Sequence, residues 1–303
     1  MEWFKNASAD EAADTYPLIG DTYYNGDYLE LDHGKALEWY LKASDAGKGT
    51  AMFNIGLMYD NGRGIEQDGD KAMEWYLKAT NAGNVDAMWN IGVMYDEGRG
   101  TELDHGKAME WYLKSSNAGN TTAMFNIGNM YRNGRGVKQD HGKAMNWYLN
   151  AGNAGDADAM FNLGVMHSKG QGAEQDDSKA MQWYLKAGDA GNSNAMCKIG
   201  AMYNNGQGVE QDEGKAMDWY LKASNAGNGS AMLNIGVMYR NGRGVEQDDG
   251  KAMNWYLKAT SKINGRGVEK DDGKVIELFT RAYNSGCAEI MLASRKRAMK
   301  ECN

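Results

Sequence analysis

Proline is almost missing from this chain: one residue, Pro17, in 303. A proline-rich spacer between domains is thereby excluded, and helices are spared their commonest interruption. Cysteine is scarce as well. Cys197, Cys287 and Cys302 are odd in number and fall at unrelated places in the sequence pattern. That excludes a disulfide framework and fits a reducing compartment, so a cytoplasmic location is expected. No apolar run approaches the roughly 18 residues that a spanning helix needs, so no membrane insertion is expected. The opening stretch MEWFKNASADEAADTYPLIG has no basic segment followed by an apolar run, and no secretion signal is evident. Positive charge is not in excess either. The formal net charge is −8, and a basic face of the kind that nucleic acid or an anionic membrane needs is not indicated.

What is present is one phrase said many times. Its clearest form runs from Ala87 to Asn120, AMWNIGVMYDEGRGTELDHGKAMEWYLKSSNAGN. The lysine opening its K-A-M-x-W-Y-L-K segment stands at Lys35, Lys71, Lys107, Lys143, Lys179, Lys215 and Lys251, always 36 residues apart. A fixed period of this size is the signature of a repeat array, in which stacked units bury what no unit can bury alone.

Each repeat carries two helical patterns. In the first, here the A helix, Ala51, Ile55, Met58 and Tyr59 form one stripe of a 3.6-residue period. Gly62 follows as a left-handed C-cap. In the second, the B helix, Ala36, Trp39, Tyr40 and Ala43 form the stripe, and Asp32 is the expected N-cap. An Asp recurs in that capping column at Asp68, Asp104, Asp140, Asp176, Asp212, Asp248 and Asp271. Gly20, Gly56, Gly92, Gly128, Gly164, Gly200 and Gly236 sit in the middle of A helices. Each costs about 1 kcal/mol relative to alanine, so a partner ring, Tyr or Trp, is expected to lie where a side chain would have been. The tryptophan column, Trp3 to Trp255, holds eight of the nine tryptophans; each can bury about 150–250 Å², which stacked neighbours can cover and a lone repeat cannot.

In order, residues 1–12 read as a partial helix of the B type, with Trp3 in register with Trp39. The first A helix is expected over Thr15–Tyr24, with Pro17 in its first turn, and six more begin near Thr50, Asp86, Thr122, Asp158, Asn194 and Ser230. Residues 13–260 then hold seven full repeats. After Thr260 the lysine spacing shrinks from 36 to 23, between Lys251 and Lys274, as though one A helix were deleted. Residues 261–303 are expected to form a degenerate cap with helices at Val275–Asn284 and Ala288–Lys300, giving about 17 helices in a single elongated domain over 1–303. The sequons at Asn6, Asn120 and Asn228 are read as chance, because Asn, Ser and Thr are common in the inter-helix turns.

The pattern A-x-x-N-[IL]-G-x-M-Y-x-x-G-x-G-[VI]-x-x-D-x-x-K-A-x-x-W-Y-x-K-A-x-x-x-G resembles the Sel-1-like repeat, a relative of the tetratricopeptide repeat. The resemblance covers residues 13–260 and, more weakly, the chain to 291. It departs from the pattern at Asp27-Tyr28, at His167 in the Tyr59 column and at Lys198 in the Asn54 column. It implies an all-α, right-handed α/α superhelix of helix-turn-helix repeats, acting as a non-catalytic scaffold or adaptor for protein segments, as a monomeric array without cofactor. It also carries an alternative, since relatives stand beside kinase-type catalytic domains: the chain could be the repeat region of such a protein. The paired cysteines of the bacterial cysteine-rich branch are missing.

In tetratricopeptide relatives the A helices line a concave groove. Carried over to this sequence, the partner-binding residues are Phe53, Asn54 and Leu57, then Trp89, Asn90 and Val93, then Phe125, Asn126 and Asn129, then Phe161, Asn162 and Val165. Thr50, Asp86, Thr122 and Asp158 form a further column. Amides can pair with an extended chain's N–H and C=O groups, and aromatic anchors supply binding energy. The competing reading is that the Asn column bonds neighbouring helices and the aromatics pack between repeats. A segment lying along residues 50–165 is the expectation, with Asp60 and Asp96 at one end and Arg132 further along. No metal site is expected. His33, His105 and His141 share a column, but equivalent helices lie at least ~8–10 Å apart and ligands sit near ~2 Å from a metal. The G-R-G-V loops lack the Lys-Ser/Thr of a phosphate-binding loop, the E-Q-D-D-G runs lack calcium-loop spacing, and no catalytic triad stands out.

Overall fold

The computed structural model describes residues 9–264, with side chains from 13 to 259. Those residues form fourteen α-helices and no strand. They are α1 (Ala9–Asn25), α2 (His33–Asp45), α3 (Gly49–Asn61), α4 (Gly69–Asn81), α5 (Val85–Glu97), α6 (His105–Asn117) and α7 (Thr121–Asn133). Then follow α8 (His141–Asn153), α9 (Ala157–Lys169), α10 (Asp177–Asp189), α11 (Ser193–Asn205), α12 (Glu213–Asn225), α13 (Gly229–Asn241) and α14 (Asp249–Asn264). Odd-numbered helices are A helices and even-numbered ones B helices. The chain divides into two compact units between residues 154 and 155. The helices expected over 275–284 and 288–300 lie outside the described residues, as does Trp3.

Caps explain where the helices start and stop. Each B helix from α2 to α12 opens on the expected Asp, whose side chain accepts the N–H of the residue three along, Lys35 on Asp32 at 3.0 Å being typical. The A helices from α3 to α13 end on a glycine at positive φ, Gly62 at 64° for example. One set of caps escaped the sequence reading. Asn84, Asn120, Asp156, Asn192 and Asn228 are the N-caps of α5, α7, α9, α11 and α13. The side chains of Asn120 and Asn228 are therefore occupied at the two described sequons.

The start of the chain differs from expectation. α1 runs unbroken from Ala9, so residues 9–12 belong to it and not to a separate helical stub, and Pro17 lies inside the helix rather than in its first turn. The stretch Asp10–Thr15 contains neither Gly nor Pro to stop the helix. Pro17 leaves only the carbonyl of Ala13 without its usual donor.

In each hairpin the A stripe meets the B stripe. Ala51, Ile55 and Met58 of α3 are fully buried, as are Ala72, Tyr76 and Ala79 of α4. The ring filling the glycine notch is tyrosine in every case. Tyr40, Tyr76, Tyr112, Tyr148, Tyr184, Tyr220 and Tyr256 cross Gly20, Gly56, Gly92, Gly128, Gly164, Gly200 and Gly236 so closely that a Cβ would stand no more than 2.7 Å from the ring. The tyrosines are buried, and the tryptophan column is half-buried. It acts between hairpins: Trp75 packs on the α2–α3 core, Trp111 on α4–α5, and Trp219 on α10–α11.

The first turn is atypical. Tyr28, where later repeats carry the second glycine of G-R-G, holds φ at 90° and is fully exposed. Leu31 and Leu103 replace glutamines that elsewhere donate to the end of the A helix, as Gln67 does to the Asp60 carbonyl at 2.7 Å. Both leucines stand in solvent.

Candidate functional site

The A helices present the predicted columns on one side of each hairpin. Phe53, Trp89, Phe125 and Phe161 are all half-buried, as are Asn54, Leu57, Val93, Asn126, Asn129, Asn162 and Val165, whereas Asn90 is buried. The expected row is real as a register, but it is not an open apolar strip. Each phenylalanine ring also packs on the B-helix tyrosine of its own repeat. Phe53 lies 5.8 Å from Tyr76, Phe125 5.7 Å from Tyr148, and Phe161 5.7 Å from Tyr184, centroid to centroid. Trp89 packs on the α6–α7 core, and its indole N–H is shielded from solvent with no acceptor. Phe53, Trp89 and Phe125 belong to the first unit; Phe161, Asn162 and Val165 hold the same places in the second. Cys197 takes the ring position in α11, where burial pushes its thiol pKa up.

The amides are partly used within the protein. Asn54 donates to Asp21 Oδ1 at 3.0 Å, on the preceding A helix. Asn90 donates to the Asp86 carbonyl at 3.1 Å and Asn162 to the Asp158 carbonyl at 2.8 Å, both on their own helices. Asn129 Oδ1 accepts the Tyr148 hydroxyl at 2.7 Å. The column at Asp86 is stitched too. The N-cap amide Asn120 reaches back to Asp86 at 3.1 Å, Asn192 to Asp158 at 2.7 Å, and Asn228 to Asn194 at 2.9 Å. Lys48 makes the corresponding ion pair with Asp14.

The acidic end of the row is neutralised from within. Asp60, 6% exposed, accepts Arg99 Nη1 at 2.7 Å and faces the Tyr76 hydroxyl at 3.4 Å. Asp96 accepts Arg135 Nη2 at 3.0 Å and sits 2.8 Å from His105 Nδ1. The arginines of the G-R-G turns thus bind the preceding A helix, a role the sequence pattern did not reveal because donor and acceptor are 39 residues apart. Arg132 lies over the Tyr148 ring, 6.0 Å from its centroid.

The histidine column is not gathered. The His33 ring meets that of Tyr24 at a tilt of 50°, centroids 5.1 Å apart, His105 meets Asp96, and His141 Nδ1 is enclosed without a partner. His167, in a tyrosine column, has its pKa lowered by burial and then by Lys179. Among the described residues no three His, Cys, Asp or Glu side chains are placed to hold a metal, and no helix is long and apolar enough to cross a membrane.

The family model described as Sel1 repeat matches eight successive segments: 18–48, 49–84, 85–120, 121–156, 157–192, 193–228, 229–263 and 262–287. The last is short, in line with the contracted lysine spacing there. A Sel1 repeat protein from Oxalobacter formigenes is 32% identical, with a TM-score of 0.73, over 80% of this chain and 98% of that one. A protective antigen of uropathogenic Escherichia coli strains displaying this repeat fold is 28% identical, with a TM-score of 0.72, over 94% of this chain. The present chain spans 64% of that antigen's length. No curated protein matches in sequence. With eight repeats matched and the all-α hairpin architecture in place, the chain belongs to the Sel1 repeat family.

Proposed function

We propose that this chain is a non-catalytic interaction scaffold that binds a segment of a partner protein along the A-helix face of its first unit. The observation carrying this reading is the recurrence of a half-buried aromatic side chain at one register position, Phe53, Trp89 and Phe125, in three successive repeats. Packing on Tyr76, on the α6–α7 core and on Tyr148 holds Phe53, Trp89 and Phe125 still, so little side-chain entropy is lost when a partner covers an open ring edge. Rigid aromatic anchors of this kind dominate interface energetics. Leu57 and Val93, four residues on, widen the apolar row, and Asn54, Asn90 and Asn126 flank it. Because Asn54 and Asn90 already spend a donor internally, the aromatic edges supply most of the affinity and the amides orientation.

The test is a Trp89→Ala, Phe125→Ala double variant of the full chain, with its helicity checked by circular dichroism. Partners captured by the wild-type chain are purified and titrated against both proteins. Loss of two anchors is expected to weaken binding by at least about tenfold. A folded double variant that keeps every partner at wild-type affinity would move the site to the outer, B-helix side, where Glu74 and Glu110 stand.

A further inference from the structure

Each described B helix carries a tryptophan, and in six of the seven a lysine three residues on places its ammonium over the indole ring. The distances to the ring centroid are 4.2 Å for Lys42 on Trp39, 4.1 Å for Lys78 on Trp75 and 4.0 Å for Lys114 on Trp111. They are 4.2 Å for Lys186 on Trp183, 4.1 Å for Lys222 on Trp219 and 4.2 Å for Lys258 on Trp255. The seventh is α8. There Asn150 stands in the lysine column and is exposed, and no cation lies over Trp147 among the described residues. The residue before the tryptophan is Asn146 on α8, where α2, α4 and α6 carry Glu38, Glu74 and Glu110 and α14 carries Asn254.

Trp147 is nonetheless held as its equivalents are. It packs against the α6–α7 core of Ala108, Tyr112, Ile127 and Met130. The ring face is therefore pre-placed by its own packing and does not depend on a lysine above it. An indole face attracts an ammonium through its quadrupole, most strongly among the aromatic side chains. The missing lysine also removes the positive charge that would repel an incoming cation, and the Asn150 carbonyl can accept one of its N–H donors.

We propose that the indole of Trp147 on α8, rimmed by Asn146 and Asn150, is a binding site for the ammonium group of a lysine side chain brought by a partner protein. Six internal copies of the same arrangement select the occupant, since each holds a lysine ammonium at nearly the same distance. The net charge of −8 favours the approach of a basic segment. One ring and one ammonium make a weak contact, so the site adds selectivity to a larger interface rather than holding a partner alone. It lies on a different helix set from the A-helix row and stands or falls separately from it.

The experiment uses the full chain and follows the indole N–H signals in proton–nitrogen correlation spectra, with Trp147 assigned by the signal lost in Trp147→Phe. The probe is Nα-acetyl-lysine methylamide; the control is the same compound acetylated on Nε, at equal ionic strength. The expected result is a concentration-dependent shift of the Trp147 signal several-fold larger than those of Trp75 and Trp111, and no such shift with the acetylated control. Asn150→Lys restores the internal ammonium and should reduce the Trp147 response about two- to fivefold, the size expected of one exposed cation–π contact. A Trp147 response no larger than that of the covered tryptophans, a response equal with the acetylated compound, or one unchanged by Asn150→Lys overturns the proposal.

Discussion

Gly128→Ala tests the packing rule of the whole array. In an open helix interior this substitution stabilises by about 1 kcal/mol, because alanine loses less backbone freedom than glycine. At Gly128 the new Cβ would stand 2.6 Å from Cε1, 2.7 Å from Cδ1 and 3.3 Å from Cγ of Tyr148. Ordinary carbon contacts lie at ~3.5–4.0 Å, so the ring would have to withdraw by roughly 1 Å. It has little room: Tyr148 is fully buried and its hydroxyl donates to Asn129 Oδ1 at 2.7 Å. Overpacking costs about 1–3 kcal/mol, and a disturbed hydrogen bond about 1 kcal/mol more. After the propensity gain, Gly128→Ala should destabilise by about 1–3 kcal/mol, and Gly128→Val by several, since it adds two further heavy atoms. In a Tyr148→Leu background the ring is gone, and the same Gly128→Ala change should stabilise by up to about 1 kcal/mol. The assay is urea unfolding followed by circular dichroism. Because repeat arrays can unfold in stages, hydrogen exchange of the α7 amides serves as the local readout. A gain in stability with Tyr148 present, or the same sign in both backgrounds, would refute the reasoning.

Two further outcomes are expected. Arg99→Leu leaves Asp60 enclosed without its 2.7 Å partner and should cost about 1–3 kcal/mol, read as a lowered urea midpoint; a double variant that also carries Asp60→Asn should recover part of the loss. Burial pushes the phenols of Tyr148 and Tyr184 up to about 12, and those of Tyr40, Tyr76, Tyr112, Tyr220 and Tyr256 upward too. A raised folded pKa makes their contribution to stability complete below the unfolded value near 10, and it is lost as pH rises through the folded values. Phenolate absorbance should therefore leave these seven rings silent until the chain unfolds in alkali; titration of all the tyrosines near pH 10 with helicity intact would contradict their burial.

Several residues show where sequence reading stopped short. Gly128 announced a close neighbour, but Tyr and Trp stand side by side in the B helix, and periodicity alone did not choose between them. The aromatic row at Phe53, Trp89 and Phe125 was legible as a register; its half-burial was not, because burial depends on how far the next repeat overlaps. Asn120 read as a chance sequon because nothing local distinguishes a free turn amide from a cap that also reaches back 34 residues to Asp86. Arg99 and Arg135 looked like turn residues, and their carboxylate partners lie on the preceding A helix.

The 36-residue period, the two helices per repeat, the aspartate N-caps and the glycine C-caps were determined by the sequence by itself. Each rests on interactions within about one helical turn, where spacing dictates geometry. Tertiary structure decided which ring enters the glycine notch, how deeply the aromatic row sinks between repeats, and which charges are matched across them. It also decided that Trp147 keeps its place in the packing although its helix lacks the lysine. Those outcomes depend on the distance and rotation between stacked hairpins, which are set by many side chains at once and appear in no single repeat.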